Sequence, residues 1–223
     1  MERANRKKFW QKQSFKSNAY GNTIWKSLPR SMEPDDVRKL LKKRHNLRDK
    51  CIILILLRTG IRICELLALK PQDINLKNRM AIIQSSAKTG VGRIVYLSDD
   101  AYKALNNWIK QRDSRKKFLF YSRSRENMSY ETARSIFIKC LKRSGLSEKN
   151  YTLHCLRHTF ASELLSAGMQ LESLQLLMGH SNIEVTRRYA RLTNNSLAND
   201  YFKSMAIIER GEINGTYRHY NQI

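Results

Sequence analysis

The chain has 223 residues, 41% of them hydrophobic, which is enough for one large or two small packed domains and excludes a disordered tail. Its 42 Lys and Arg stand against 19 Asp and Glu, a formal net charge of +23. That excess calls for a polyanion, most commonly nucleic acid, although a ribosomal-type protein or a merely soluble basic surface would share it.

Residues 1–28 are rich in Lys, Arg, Asn, Ser and Gln with little apolar periodicity, and read as a basic extension that is flexible in solution and orders on DNA. Apolar signal begins near Leu28-Pro29, and Glu33-Pro34-Asp35 starts a helix with Val37, Leu40 and Leu41 on one face. A buried helix follows through the apolar run Cys51 to Leu57, bounded by Lys50 and Arg58 and stopped by Gly60. A second helix runs from about Arg62 to Leu69, ended by Pro71. Three β-prone pieces come next. Asp73 to Leu76 and Met80 to Gln84 flank a turn at Lys77-Asn78-Arg79, and Arg93 to Leu97 follows the Gly-containing loop SSAKTGVG.

From there the pattern is helical. Asp99 or Asp100 caps a helix through Trp108, Ser129 one through Leu141 that ends at Gly145, and Thr152 one that ends at Gly168. Leu171 to Met178 ends at Gly179, and shorter helices cover Ile183 to Leu192 and Asn195 to Glu209. The fold class is therefore mainly α with a small antiparallel β-sheet, an α+β arrangement. Cys51, Cys64, Cys140 and Cys155 form no C-x-x-C pair, so neither a zinc site nor any other metal is expected and a reducing compartment is. No apolar run reaches membrane-spanning length, and MERANRKKFW has no secretory signal character, which points to the cytoplasm.

On a helical wheel Leu153, Leu156, Phe160 and Leu164 form one core stripe, with His154 and Arg157 as neighbours beside it. A guanidinium at a core edge needs an anion, which could simply be a nearby carboxylate. Arg62 follows the Thr59-Gly60-Ile61 turn, with Glu65 one helical turn on to hold it. Lys88 sits on the hairpin tip, where a mobile ammonium reaches outward. His180 follows the helix-ending Gly179, and nine positions later Tyr189 stands among Arg187, Arg188 and Arg191, cations suited to stabilising a phenolate. Each feature taken singly has an ordinary structural reading.

Jointly, TGIR (59–62), Lys88, HCLRH (154–158), LMGH (177–180) and TRRY (186–189) resemble the tyrosine recombinases, the lambda-integrase family, with spacings like those of Xer-type members. The resemblance spans roughly Leu28 to Leu192 and implies that family's catalytic-domain architecture over residues 29–193. It implies that Arg62 and Arg157 clamp the scissile phosphate and that His154 accepts the tyrosine proton. It further implies that His180 bonds a phosphoryl oxygen, that Lys88 protonates the departing 5′-oxygen, and that Tyr189 forms a 3′-phosphotyrosine link. Glu65 and His158 are supporting residues, and Arg93, Arg134, Lys139, Arg187, Arg188 and Arg191 are assigned to DNA contact. No cofactor is needed, because the phosphotyrosyl bond conserves the energy of the broken phosphodiester.

Many family members carry a clamping N-terminal domain that the short basic arm does not match. The chain thus resembles the short recombinases that flip fimbrial promoter segments, or a truncated longer enzyme, with weak affinity for one isolated site and a need for an accessory DNA-binding protein or cooperative assembly. Residues 194–210, with Leu197, Tyr201, Met205 and Ile208 at helical spacing, form a C-terminal helix that either docks into a neighbouring protomer of a tetramer or packs on its own core; residues 211–223 are a tail. The reading is a site-specific DNA recombinase for integration, excision, inversion or resolution, acting on double-stranded DNA. A type IB topoisomerase-like enzyme and a catalytically weak DNA-binding accessory protein remain as alternatives.

Overall fold

The structure, a computed structural model, describes residues 16–17, 23–24, 30–84, 92–122, 125–179 and 194–211. The chain divides into two compact units, Met1–Arg30 and Ser31–Ile223. In the first, β1 (Lys16–Ser17) pairs antiparallel with β2 (Thr23–Ile24), in register Lys16 with Ile24 and Ser17 with Thr23. Composition alone predicts only an extension here; the β-branched Thr23 and Ile24 favour the paired conformation over it.

The second unit opens with α1 (Pro34–Lys42), whose proline occupies the first helical turn, where the missing N–H costs nothing. Val37 and Leu40 are buried as the periodicity requires. Buried Asp36 accepts the Tyr151 hydroxyl at 2.8 Å, and the Met32 N–H donates to Thr159 Oγ1 at 2.8 Å. The second bond fastens this opening segment to the helix that carries the HCLRH residues, and the first to the residues just before that helix.

α2 (Leu47–Thr59) starts well before its apolar run, because the Asn46 side chain caps it by accepting the Asp49 N–H at 2.8 Å. Every residue from Cys51 to Thr59 is buried, so over that stretch the helix has no solvent face and forms the centre of the unit. It stops at Gly60, left-handed at φ 62°. Around it pack α4 (Asp99–Gln111) and α6 (Leu153–Ser166). Ser98 takes the N-cap position of α4 in place of the expected Asp99 or Asp100, and the helix runs to Gln111, beyond the expected Trp108. Asp100 lies inside it, accepting from buried Arg58 at 3.0 Å.

α3 (Ile63–Ala68) is shorter than expected, with Arg62 as its cap residue instead of its first turn. The three-stranded sheet orders β3 (Ile74–Asn75), β4 (Met80–Ile83) and β5 (Arg93–Tyr96), all antiparallel. Ala81 and Ile83 face the core while Ile82 is half exposed, the alternation that fixes register. The β4–β5 ladder ends at the Ile83–Arg93 pair, so the connection bearing Lys88 springs from there; residues 85–91 lie outside those described.

α5 (Tyr130–Arg143) begins at Ser129, whose Oγ accepts the Thr132 N–H at 3.1 Å. α7 (Leu171–Met178) ends at Gly179, and α8 (Asn194–Arg210) extends one residue past each expected limit. The expected helix from Ile183 to Leu192 falls on residues not described. One core surrounds α2; a second gathers Phe160, Leu164, Leu174, Leu177, Tyr201, Met205 and Ile208. α6 serves both, with Leu153, Cys155 and Leu156 in the first and Phe160 and Leu164 in the second. In this structure α8 thus packs on the core of its own chain. Among the described residues no helix is long and apolar enough to cross a membrane.

Candidate active site

Because α6 is buried along one stripe and joins two cores, its flanking residues are held rigidly. His154 is exposed and His158 half-buried, their rings meeting edge to face with centroids 4.6 Å apart. Arg157 is 5% exposed. The carboxylate that would ordinarily meet such an arginine is not its partner. Its guanidinium donates instead to the carbonyls of Gly60 and Met178, the latter at 2.7 Å. Both acceptors belong to helix C-termini, where orphan carbonyls carry partial negative charge.

The end of α7 meets arginines at three successive carbonyls. Arg93 Nε donates to Leu177 O at 2.9 Å, Arg157 to Met178 O, and Arg62 Nη2 to Gly179 O at 3.3 Å. Arg62 also donates to Glu65 Oε1 at 3.0 Å, while Glu65 Oε2 accepts the Arg62 backbone N–H at 2.7 Å. Arg93 forks onto both oxygens of the same carboxylate, at 2.8 and 2.7 Å. The TGIR turn, the start of β5, α6 and the end of α7 therefore converge through one carboxylate and a row of carbonyls.

Gly60 and Gly179 permit this closeness. A Cβ on Gly60 would lie 2.2 Å from Phe160 Cδ1, and one on Gly179 would lie 2.9 Å from the Arg93 side chain. Both also sit at φ 62°, where a side chain is strained.

Three guanidiniums against one carboxylate leave a net positive site. Burial pushes the Arg157 guanidinium down to about 10, with Arg62 and Arg93 repelling it further; it remains charged at neutral pH. Burial raises Glu65, but hydrogen bonds from Arg93 and Arg62 outweigh it and bring the carboxyl down to about 2. Partial desolvation of its ring lowers His154 first, then Arg157 and Arg62 lower it further, all three disfavouring the protonated imidazole. His158 is lowered for similar reasons, with His154 contributing. The arrangement is a cationic pocket suited to an anion, beside an imidazole whose protonated form is disfavoured.

Of the expected site residues, the structure brings together Arg62, Glu65, His154, Arg157 and His158. Lys88, His180, Tyr189, Arg187, Arg188 and Arg191 lie outside the described residues. Arg134 and Lys139 are exposed on α5, away from any ion pair found among the described residues. Arg93, expected at the DNA surface, has a side chain only 17% exposed and donors directed inward. Nothing in the local sequence marks it. Its partners stand 28 and 84 positions away.

The phage integrase family model matches residues 30–196 of this chain. The tyrosine recombinase XerA of Pyrococcus horikoshii is 34% identical over 177 residues, covering 78% of this chain and 61% of that protein. The crystal structure of XerA recombinase superposes with a TM-score of 0.63 at 27% identity, covering 78% of this chain and 65% of that one. The integrase of the Tn1549 transposon, in complex with circular intermediate DNA, gives 0.60 at 29% identity, covering 78% and 65%. The chain spans about three fifths of the length of the curated relatives it matches. The family match covers most of the second unit, and the fold agrees with it. On that ground the chain belongs to the phage integrase family, the tyrosine recombinases, and carries their catalytic domain in mostly helical form with a small antiparallel sheet.

Proposed function

We propose that the protein is a site-specific DNA recombinase that cuts and rejoins strands through a 3′-phosphotyrosine on Tyr189. The observation that carries this reading is the meeting of Arg62 and Arg157 on the adjacent carbonyls of Gly179 and Met178, with His154 on the same helix as Arg157. Two guanidiniums so held can take the two non-bridging oxygens of one phosphodiester, whose transition state carries more negative charge than its ground state. In the proposed step the Tyr189 oxygen bonds to phosphorus, its proton passes to His154, and the P–O5′ bond breaks with Lys88 supplying a proton to the leaving oxygen. His180 bonds a phosphoryl oxygen, and Glu65 and His158 hold the arginines and His154 in place. The 5′-hydroxyl of a second strand then reverses the sequence, with no external energy source. Removing one such charge-stabilising donor typically costs about 2.7–4 kcal/mol of barrier.

Double-stranded DNA is the proposed substrate. The net charge of +23 supports it, as does the DNA complex of the related Tn1549 integrase. Exposed Arg134 and Lys139 on α5, together with Arg187, Arg188 and Arg191, are the proposed phosphate contacts. Residues 29–193 form the proposed catalytic domain, and the basic residues 1–28 a DNA-ordered arm. Four copies on two paired sites would perform exchange. α8 would leave its own core for a neighbour only at the cost of exposing Tyr201, Met205 and Ile208, so any such exchange is tied to assembly. An accessory DNA-binding protein would help seat the complex, and the site of action is the cytoplasm.

The test is a nicked suicide substrate carrying candidate recombination sites from DNA flanking the gene. A denaturation-resistant protein–DNA adduct is expected with the protein and not with Tyr189→Phe. Equal adduct with the Phe variant would remove Tyr189 from the reaction, and no adduct on any flanking site would favour an accessory role. Relaxation of supercoils without site preference would instead indicate a topoisomerase.

A further inference from the structure

We infer that Arg93 is a positioning residue that locks three separately encoded segments of the phosphate site together, and is not a DNA contact. Its consequence for the reaction rests on the recombinase reading above; its structural role does not. The geometry gives Arg93 three simultaneous engagements. Nη1 and Nη2 fork onto Glu65 of α3 at 2.8 and 2.7 Å, and Nε holds the Leu177 carbonyl at the end of α7 at 2.9 Å. Its own backbone closes the β4–β5 ladder opposite Ile83. Those three segments lead respectively to Arg62, to the residue after Gly179, and to the connection that bears Lys88.

Two further observations fit a lock and not a surface contact. Gly179 lies against this side chain so closely that a Cβ there would fall 2.9 Å from Cδ, Nε and Cζ alike. A side chain at Gly179 would therefore have to displace Arg93 as well as adopt a left-handed φ. The Glu65 side chain is also 9% exposed, against 41% for Arg62. With Arg93 taking both carboxylate oxygens, Arg62 need give Glu65 only Nη1 and keeps an outward face for a ligand. Deprived of Arg93, a buried Glu65 would draw Arg62 inward and fill the site with its own carboxylate.

A lysine cannot replace it, since one ammonium cannot fork on a carboxylate and reach a carbonyl at once. The experiment compares Arg93→Met, Arg93→Lys and Arg93→Met/Glu65→Gln with the parent protein in three readouts. These are single-turnover adduct formation at saturating DNA, the affinity and salt dependence of duplex binding, and amide hydrogen exchange over Leu176–Gly179.

The expected result for Arg93→Met is adduct formation slowed about 10–100-fold, the usual cost of losing a residue that orients a reacting group. Duplex affinity should stay within about threefold and the salt slope should be unchanged. Exchange over Leu176–Gly179 should accelerate while α2 stays protected. Glu65→Gln in the same chain should restore part of the rate, which a general loss of stability would not allow. Arg93→Lys should fall between, and serves if the Met variant fails to fold.

Weakened binding with a salt slope reduced by about one, and a normal rate at saturation, would make Arg93 a phosphate contact and overturn the inference. Unchanged exchange over Leu176–Gly179 would overturn it as well. If the parent protein forms no adduct, the recombinase reading fails, yet the exchange data still decide whether Arg93 is the lock.

Discussion

Gly60 turns the chain out of α2 with its Cα pressed against the ring of Phe160, where a Cβ would stand 2.2 Å from Cδ1 and 2.6 Å from Cε1. Phe160 is 1% exposed and has nowhere to go. Gly60→Ala therefore meets two penalties at once. The left-handed conformation costs roughly 1–2 kcal/mol for a side-chain-bearing residue, and overpacking costs typically about 1–3 kcal/mol. A drop in unfolding free energy of about 2–5 kcal/mol is expected in urea titration. A change under 1 kcal/mol would mean that Phe160 can yield and that the turn is not fixed as described.

Arg62 and Arg157, the proposed phosphate clamp, should separate when stability and rate are measured together. Arg62 is partly exposed, and its Glu65 pair keeps Arg93 when Arg62 is lost. Arg62→Ala should slow adduct formation about 10²–10³-fold while changing stability by no more than about 1 kcal/mol. Arg157→Ala strips the Gly60 and Met178 carbonyls of a donor in a buried place, at about 1–3 kcal/mol for each group left unpaired. It should therefore lose both rate and stability. Equal stability losses in the two variants would contradict this division.

These pairs also show what the sequence makes legible. Gly60, Gly179, Ser129 and Thr152 announce helix ends through local chemistry, and the structure has them there. The sheet follows from alternation around one turn. The start of α2 is hidden, because Asn46 caps through one side-chain bond and the polar Arg48, Asp49 and Lys50 separate Leu47 from the apolar run. Arg58 reads as the charged edge of an apolar run, yet it is 6% exposed. What buries it lies 42 and 105 positions on, in Asp100 and Glu163, and no local pattern carries that information. Arg62, His154 and Arg157 were legible as a site through their joint motif. Arg93 reads from the sequence as a DNA contact among 42 Lys and Arg, because only tertiary contact distinguishes it.

Arg58 and Glu163 form a buried ion pair at 3.2 Å that ties α2 to α6. Burial raises the Glu163 carboxyl above its ordinary value of 4.5, and nearby Asp100 adds to this, while Arg58 pulls the other way without prevailing. A carboxyl whose folded pKa lies above its unfolded value binds protons more tightly when folded, so it adds stability as pH falls toward 4.5. Glu163→Gln should destabilise at neutral pH by less than the roughly 3–5 kcal/mol typical of a broken buried pair, since Asp100 still serves Arg58. The gap between parent and variant should widen as pH is lowered from 7 toward 5, read as urea midpoints at matched ionic strength. A gap that narrows would mean that the folded carboxyl is held low instead.

His154 supplies the sharpest pH test of the proposed chemistry. A base must be neutral to take the Tyr189 proton, and burial together with Arg157 and Arg62 holds this imidazole below the ordinary 6.5. For protein and DNA free in solution, the second-order rate of adduct formation should be flat through neutral pH and fall only on acidification through that lowered value. A bound phosphate offsets the charge of Arg157 and Arg62, which removes part of the lowering. The acid limb measured at saturating DNA should therefore lie at higher pH than the limb measured at low DNA. His154→Gln should slow the reaction about 10²–10⁴-fold and abolish that limb in both regimes. An acid limb that survives the substitution, or that shifts downward on saturation, would assign the proton to a different group and leave the arginine pair without its base.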